Sequence, residues 1–206
     1  MAQRTLGLVL AGIISGAAIA AMALAPPGSR PLTGAQQTTS TETGKASVGG
    51  PFTLTDQGGK RVTDKDYAGK YLVVFFGFTN CPDICPSGLQ VMSVALDKLG
   101  TKADAVQPLF ITFDPTRDTP EKLAAYLKSF SPRITGLTGS EPELQGVVKA
   151  YRVYVQKVEA EHPDGPYSFD HTALFYIMGK NGEFMTHVPQ TNNVDELVSA
   201  LEKVLK

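Results

Sequence analysis

Runs of apolar residues alternate with amphipathic stretches along most of this chain. Residues 70–78, KYLVVFFGF, form a continuous apolar and β-rich run without polar alternation, the pattern of a strand buried on both faces. Residues 107–114, QPLFITFD, repeat it. Between them Leu89, Met92, Ala95, Leu96 and Leu99 recur at helical spacing. Thr119-Pro120-Glu121 opens a second helix with a capping hydroxyl, a first-turn proline and a carboxylate at the positive end, and this helix runs through LAAYLKSF towards Pro132. Residues 133–139, RITGLTG, read as a short strand, and Ser140 with Glu143 as a capping box for a helix reaching about Tyr151. Residues 153–160, VYVQKVEA, read as a strand and 161–170, EHPDGPYSFD, as a polar loop. Two further strands, 172–179 and 183–188, flank Lys180-Asn181-Gly182, where Asn-Gly is a strong hairpin signal. Asn193 and Glu196 cap a last helix from residue 194. At the start of this region, residues 51–62, PFTLTDQGGKRV, read as a hairpin turning at Asp56 to Gly59. The order predicts an α/β domain over residues 51–206: a central mixed sheet with helices on both faces and a final antiparallel pair, a thioredoxin-like arrangement.

The pattern changes before residue 51. Thr5 to Ala25 carries no charge and has the length of a membrane-crossing helix, which needs about 20 residues. Ala23-Leu24-Ala25 resembles a cleavage site, but Pro26 follows directly and disfavours processing, so residues 1–25 read as an uncleaved N-terminal transmembrane anchor. Arg4 keeps the N-terminus on the cytoplasmic side and places the rest of the chain on the exported, periplasmic or equivalent face. Residues 26–50, rich in Pro, Gly, Ser and Thr, read as a flexible linker with a reach of roughly 25–30 Å.

Composition removes some classes of function. The 206 residues carry a formal charge of −1 and no Lys/Arg block, so nothing marks a nucleic-acid surface. The two cysteines are too few for a disulfide framework.

Those cysteines are Cys81 and Cys85, in GFTNCPDICPSG, just past the 70–78 strand where an α/β sheet carries its ligand crevice. A helix N-terminus stabilises a thiolate, the nucleophilic and metal-binding form, and four-residue spacing on a helix would put both sulfurs on one face. A local disulfide of little consequence is one reading. A thioredoxin-type redox couple is another, although that motif has two intervening residues rather than three. The motif of peroxide-reducing cysteines fails, because Val74 and Phe78 stand where it needs Pro and Thr. Metal binding needs a third group. Among three histidines, His171 enters the 172–179 strand at the position that faces the cysteines in a thioredoxin-type fold; His162 lies mid-loop and His187 near a strand end. Two thiolates and an imidazole suit Cu(I), while zinc can use the same set with a water.

The stretches GFTNCPDICP (77–86), FDPTRDTPEKLAAYL (113–127), GLTG (136–139), AYRVY (150–154) and DHTALFYIMGKNGEF (170–184) resemble the Sco/SenC family of copper-binding proteins. The resemblance covers the chain from about residue 51. It implies a thioredoxin-like, membrane-tethered copper chaperone with Cys81, Cys85 and His171 as copper ligands, serving the copper A site of cytochrome c oxidase. The implied partners are the copper-accepting oxidase subunit and an upstream copper donor or thiol reductant, at the inner membrane. The rival function is a tethered thiol–disulfide oxidoreductase that reduces the cysteines of the oxidase copper site, with Cys81 and Cys85 as its redox-active pair. Asn80 stands where many members have His. Asp114, Asp118 and Asp170 stay outside the implied ligand set. The first two read either as supports of the site or docking residues for a partner, or as turn and helix-start residues. Asp170 reads either as an acceptor for the free N–H of the His171 ring or as a solvated side chain.

Overall fold

The structure is a computed structural model that describes residues 47–159 and 167–205. The anchor expected at 1–25, most of the linker expected at 26–50, and His162 lie outside the described residues. Among the described residues, no helix is long and apolar enough to cross a membrane.

A hairpin of β1 (Thr53–Asp56) and β2 (Arg61–Thr63) is followed by β3 (Tyr71–Gly77), α1 (Ile84–Leu99), β4 (Val106–Thr112), α2 (Pro120–Leu127), β5 (Thr135–Thr138) and α3 (Glu141–Ala150). The chain continues through β6 (Val155–Val158), β7 (Ser168–His171), β8 (Leu174–Met178), β9 (Phe184–Pro189) and α4 (Val194–Val204). Seven strands make one sheet in the order β2-β1-β5-β4-β3-β8-β9. Its centre is parallel: β3 pairs β4 from Tyr71↔Val106 to Gly77↔Thr112, and β4 pairs β5. The β8–β9 hairpin joins β3 antiparallel, and β1 joins β5 antiparallel, so the sheet is mixed.

The unbroken apolar run of β3 follows from burial on both faces. Val73 and Phe75 belong to one core with Leu89, Met92 and Leu96 of α1, Leu123 of α2 and Leu197 and Leu201 of α4. Leu72, Val74 and Phe76 belong to the other, with Leu144 and Val147 of α3 and Tyr151. Each such buried Leu, Val or Phe contributes about 1.5–3 kcal/mol of transfer free energy, so this strand is a chief source of stability. Gly88 lets α1 approach it closely: a Cβ there would stand 2.5 Å from the Phe75 ring.

Local signals set the helix ends. Thr119 Oγ1 accepts from the Lys122 amide ahead of Pro120, Ser140 and Glu143 form the expected capping box, and Asn193 accepts from the Asp195 amide. Helix α2 stops at Leu127 and tightens into a turn, with the Phe130 amide donating to the Leu127 carbonyl at 3.0 Å, short of the end expected near Pro132.

Two local expectations are corrected. Residues 168–170 are strand rather than loop. β7 pairs antiparallel with β6 from Val155↔His171 to Val158↔Ser168, forming a separate two-stranded ribbon. A four-residue strand with one large apolar residue, Phe169, has too little pattern to register as a strand in isolation. His171 therefore closes β7 instead of opening the next sheet strand, which starts at Leu174. Second, α1 starts at Ile84, so Cys85 lies in its first turn and Cys81 lies before it; the sulfurs do not share a helical face. Pro82 precedes Asp83, the residue that flanks the helix, and only Pro86 occupies the first turn.

Candidate metal centre

The loop from Phe78 to Asp83 carries Cys81 off the C-terminal end of β3 and turns into α1. Its first turn is closed by the Cys81 amide donating to the Phe78 carbonyl at 3.3 Å. The Cys85 amide, a first-turn N–H without an intrahelical acceptor, donates to Sγ of Cys81 at 3.3 Å. Sulfur thus takes the capping role that a Ser or Asp oxygen takes at most helix starts, and Asp83 makes no side-chain cap of its own. Cys85 is fully buried and Cys81 half-buried; both are free thiols.

The β6–β7 ribbon brings His171 to the pair across 86 residues of sequence, with Nε2 3.9 Å from Sγ of Cys85. The two sulfurs and an imidazole nitrogen all lie within 4.8 Å of one another. Nδ1 sits 3.0 Å from the Thr172 carbonyl oxygen. A carbonyl can only accept, so Nδ1 carries the proton and Nε2 turns its lone pair towards the sulfurs. Thr172 plays the part considered for Asp170, whose side chain is exposed. A wall of Phe78, Phe113 and Phe169 backs the ring, with Phe113 and Phe78 centroids 5.0 Å and 6.2 Å from that of His171. His187 is exposed and stacks on Phe184, away from this cluster.

The two thiols are electrostatically unequal. A hydrogen bond from Cys85 is the main cause that holds the Cys81 thiol down to about 4, aided by the backbone N–H groups of Cys85 and Asp83. Cys85 moves the other way, because it donates to Cys81 and is buried. One thiolate at the rim and one protonated thiol beneath it describe the metal-free pair. A soft cation would replace the shared proton and recruit Nε2, giving a compact S₂N site.

The connection between β4 and α2, containing Asp114 and Asp118, supports both halves of this arrangement. Asp118 is fully buried; its carboxylate accepts from the Thr79 amide at 2.9 Å, the Thr79 hydroxyl at 2.6 Å and the Thr112 hydroxyl at 2.6 Å. Burial raises its pKa against those hydrogen bonds. Asp114 accepts from the Tyr167 hydroxyl at 2.8 Å and pairs with Arg117, whose Nη1 donates to the Tyr167 carbonyl at 2.9 Å. Nothing in the sequence pattern marks Thr79, Thr112 or Tyr167 as part of the site. The one available signal was Arg117 between two acids in FDPTRDT.

Comparison with known proteins gives one consistent neighbourhood. The family described as SCO1/SenC matches residues 40–206. The human protein named "Protein SCO1 homolog, mitochondrial" is 43% identical over 160 residues, 77% of this chain and 53% of that protein. The chain spans about half the length of several such curated relatives. Among solved structures, Bradyrhizobium japonicum ScoI with copper bound is 44% identical, with a TM-score of 0.70 over 76% of this chain and 99% of that one. Yeast Sco1 with copper bound is 40% identical, with a TM-score of 0.70 over 76% and 87%.

Proposed function

The chain belongs to the SCO1/SenC family, and from that premise we propose that it is a copper metallochaperone. It binds one copper through Cys81, Cys85 and His171 and delivers it to the copper A site of cytochrome c oxidase during assembly. The observation that carries this reading is the gathering of two sulfurs and one correctly protonated imidazole within 4.8 Å, a donor set suited to Cu(I). Copper is the cargo here, and its release needs exposure. Half-buried Cys81 and His171 form the open side, where an acceptor's thiols can enter, while Cys85 holds the ion from below. The family resemblance supplies the oxidase as client.

The same reading assigns residues 1–25 to a single-pass anchor in the inner membrane and 26–50 to a tether, with the domain on the exported face. A tether fits a membrane-embedded client, because it keeps the site within about 30 Å of the bilayer. Alkaline carbonate extraction of membranes containing the full chain tests this: the protein stays with the pellet if the anchor holds and moves to the supernatant if it does not.

A second reading rests on the lowered Cys81 thiol above a buried Cys85. Cys81 thiolate attacks a disulfide of the oxidase copper site and releases one client thiolate. Cys85 then displaces the client's second sulfur, leaving a Cys81–Cys85 disulfide and a reduced client; an external thiol restores the pair. Mixing copper-loaded protein with the reduced apo copper A domain separates the two. The chaperone reading predicts that copper moves to the client domain, two chaperone chains filling one site, as read by the metal content of the separated proteins, and that this transfer is lost in His171→Ala. Under the reductase reading, His171→Ala still reduces an oxidised client domain at nearly the normal rate, and copper does not move.

A further inference from the structure

The three sulfur and nitrogen donors come from two chain segments that share no backbone pairing: the loop after β3 and the end of the β6–β7 ribbon. Both are fastened to one short connection, residues 114–118. On the cysteine side, Asp118 takes two hydrogen bonds from Thr79, two residues before Cys81, and a third from Thr112 at the end of β4. On the histidine side, Arg117 is shared between Asp114 and the Tyr167 carbonyl, lies 3.6 Å over the Tyr167 ring, and is joined by the Tyr167 hydroxyl on Asp114. Tyr167 immediately precedes β7, whose last residue is His171. The connection is itself braced, with the Asp118 amide donating to the Asp114 carbonyl at 3.0 Å and the Asp114 amide to the Thr112 hydroxyl at 3.0 Å.

We propose that residues 114–118 are a two-sided clamp, in which Asp118 positions the cysteine loop and the Asp114–Arg117 pair positions the histidine ribbon, and that together they set the sulfur-to-imidazole spacing. The clamp touches no donor atom. Asp118 acts through Thr79, and Arg117 through Tyr167. Buried carboxylates are costly without partners, and Asp118 faces three donors whose combined geometry admits one placement of Thr79. A guanidinium that stacks on a ring while donating at two further points likewise admits one placement of Tyr167, a requirement that lysine cannot meet.

The inference rests on the copper reading, and the test is built to fail separately from it. Two quantities are measured on the purified full chain: Cu(I) affinity by competition with a chromophoric chelator, and the Cys81–Cys85 disulfide equilibrium against glutathione, which involves no metal. Asp118→Ala is expected to weaken Cu(I) binding by about 10–100-fold, the range for residues that orient metal ligands, and to move the disulfide equilibrium by more than about threefold. Arg117→Lys is expected to weaken Cu(I) binding by about tenfold while leaving the disulfide equilibrium within about twofold of wild type. Asp118→Asn, which keeps one acceptor oxygen for the Thr79 amide, recovers part of the loss. Should Asp118→Ala not fold, Thr79→Val and Tyr167→Phe each remove one hydroxyl hydrogen bond from one side of the clamp and carry the same expectations in smaller measure. Unchanged copper affinity in these variants overturns the clamp, as does an equal movement of the disulfide equilibrium from both sides. A wild-type chain that binds no Cu(I) overturns the copper reading instead, and the disulfide arm still tests the Asp118 side.

Discussion

Gly77, the last residue of β3, lies directly beneath the Cys85 sulfur: a Cβ built on it would stand 2.7 Å from Sγ and 2.7 Å from the Phe110 ring. Neither neighbour has room to yield, since Cys85 and Phe110 are fully buried. The absence of a side chain at 77 is therefore what lets the second sulfur reach its place. Gly77→Ala is expected to destabilise the fold by about 1–3 kcal/mol through overpacking and to displace Cys85 from the metal-binding arrangement. Thermal unfolding and metal titration of the same preparation check both effects. Wild-type stability together with wild-type affinity would show that the sulfur has slack there.

The inequality of the thiols gives a pH signature. Cys81 is held down to about 4, chiefly by the hydrogen bond from Cys85, so it stays thiolate under conditions where a free cysteine is protonated. Iodoacetamide should modify one thiol per chain at about pH 6, far faster than it modifies glutathione at the same pH, and peptide mapping should locate the label on Cys81. The rate should fall only as pH drops towards the lowered value. Replacing Cys85 with Ala removes the hydrogen bond from its thiol and should shift this profile upward. Labelling that first appears above about pH 8 would contradict the assignment.

A second pH effect lies far from the site, at the start of α3. Glu143 caps Ser140 and pairs with Arg61, and the Arg61 hydrogen bond is the main cause that lowers its carboxyl from 4.5 to about 2. A carboxylate with a depressed folded-state pKa stabilises the protein above its unfolded value, and the contribution disappears as pH falls through the folded value. Glu143→Gln should therefore lower the melting temperature at neutral pH, and the difference from wild type should shrink between about pH 4.5 and pH 2. A constant difference across that range would point to lost helix capping without charge.

Most of the scaffold was readable from sequence for a physical reason. β3 and β4 are buried on both faces and so read as unbroken apolar runs, and α2, α3 and α4 announce themselves through Thr119, Ser140 and Asn193. The ribbon that delivers His171 was not readable as such, because β7 has one large apolar residue and its register depends on β6. Cys81 before the helix, rather than within it, is a reading Pro86 supports: in a helix begun at Pro82, Pro86 would lack an amide needed for an intrahelical bond, so the start falls later, where the Cys81 sulfur accepts the Cys85 amide. The cysteines and His171 were marked by their chemistry. The residues that hold them in register, Thr79, Thr112 and Tyr167, are common types whose roles exist only through partners distant in the chain.

The central claim is that His171 completes a three-donor copper site with Cys81 and Cys85. Competition titration of the reduced protein with Cu(I) tests it most directly, comparing wild type with His171→Ala and with His187→Ala as a control outside the cluster. The account predicts one copper per chain in wild type and in His187→Ala, and an affinity loss in His171→Ala of at least about tenfold. Equal Cu(I) affinity in all three proteins would contradict it and leave the cysteine pair as a redox couple alone.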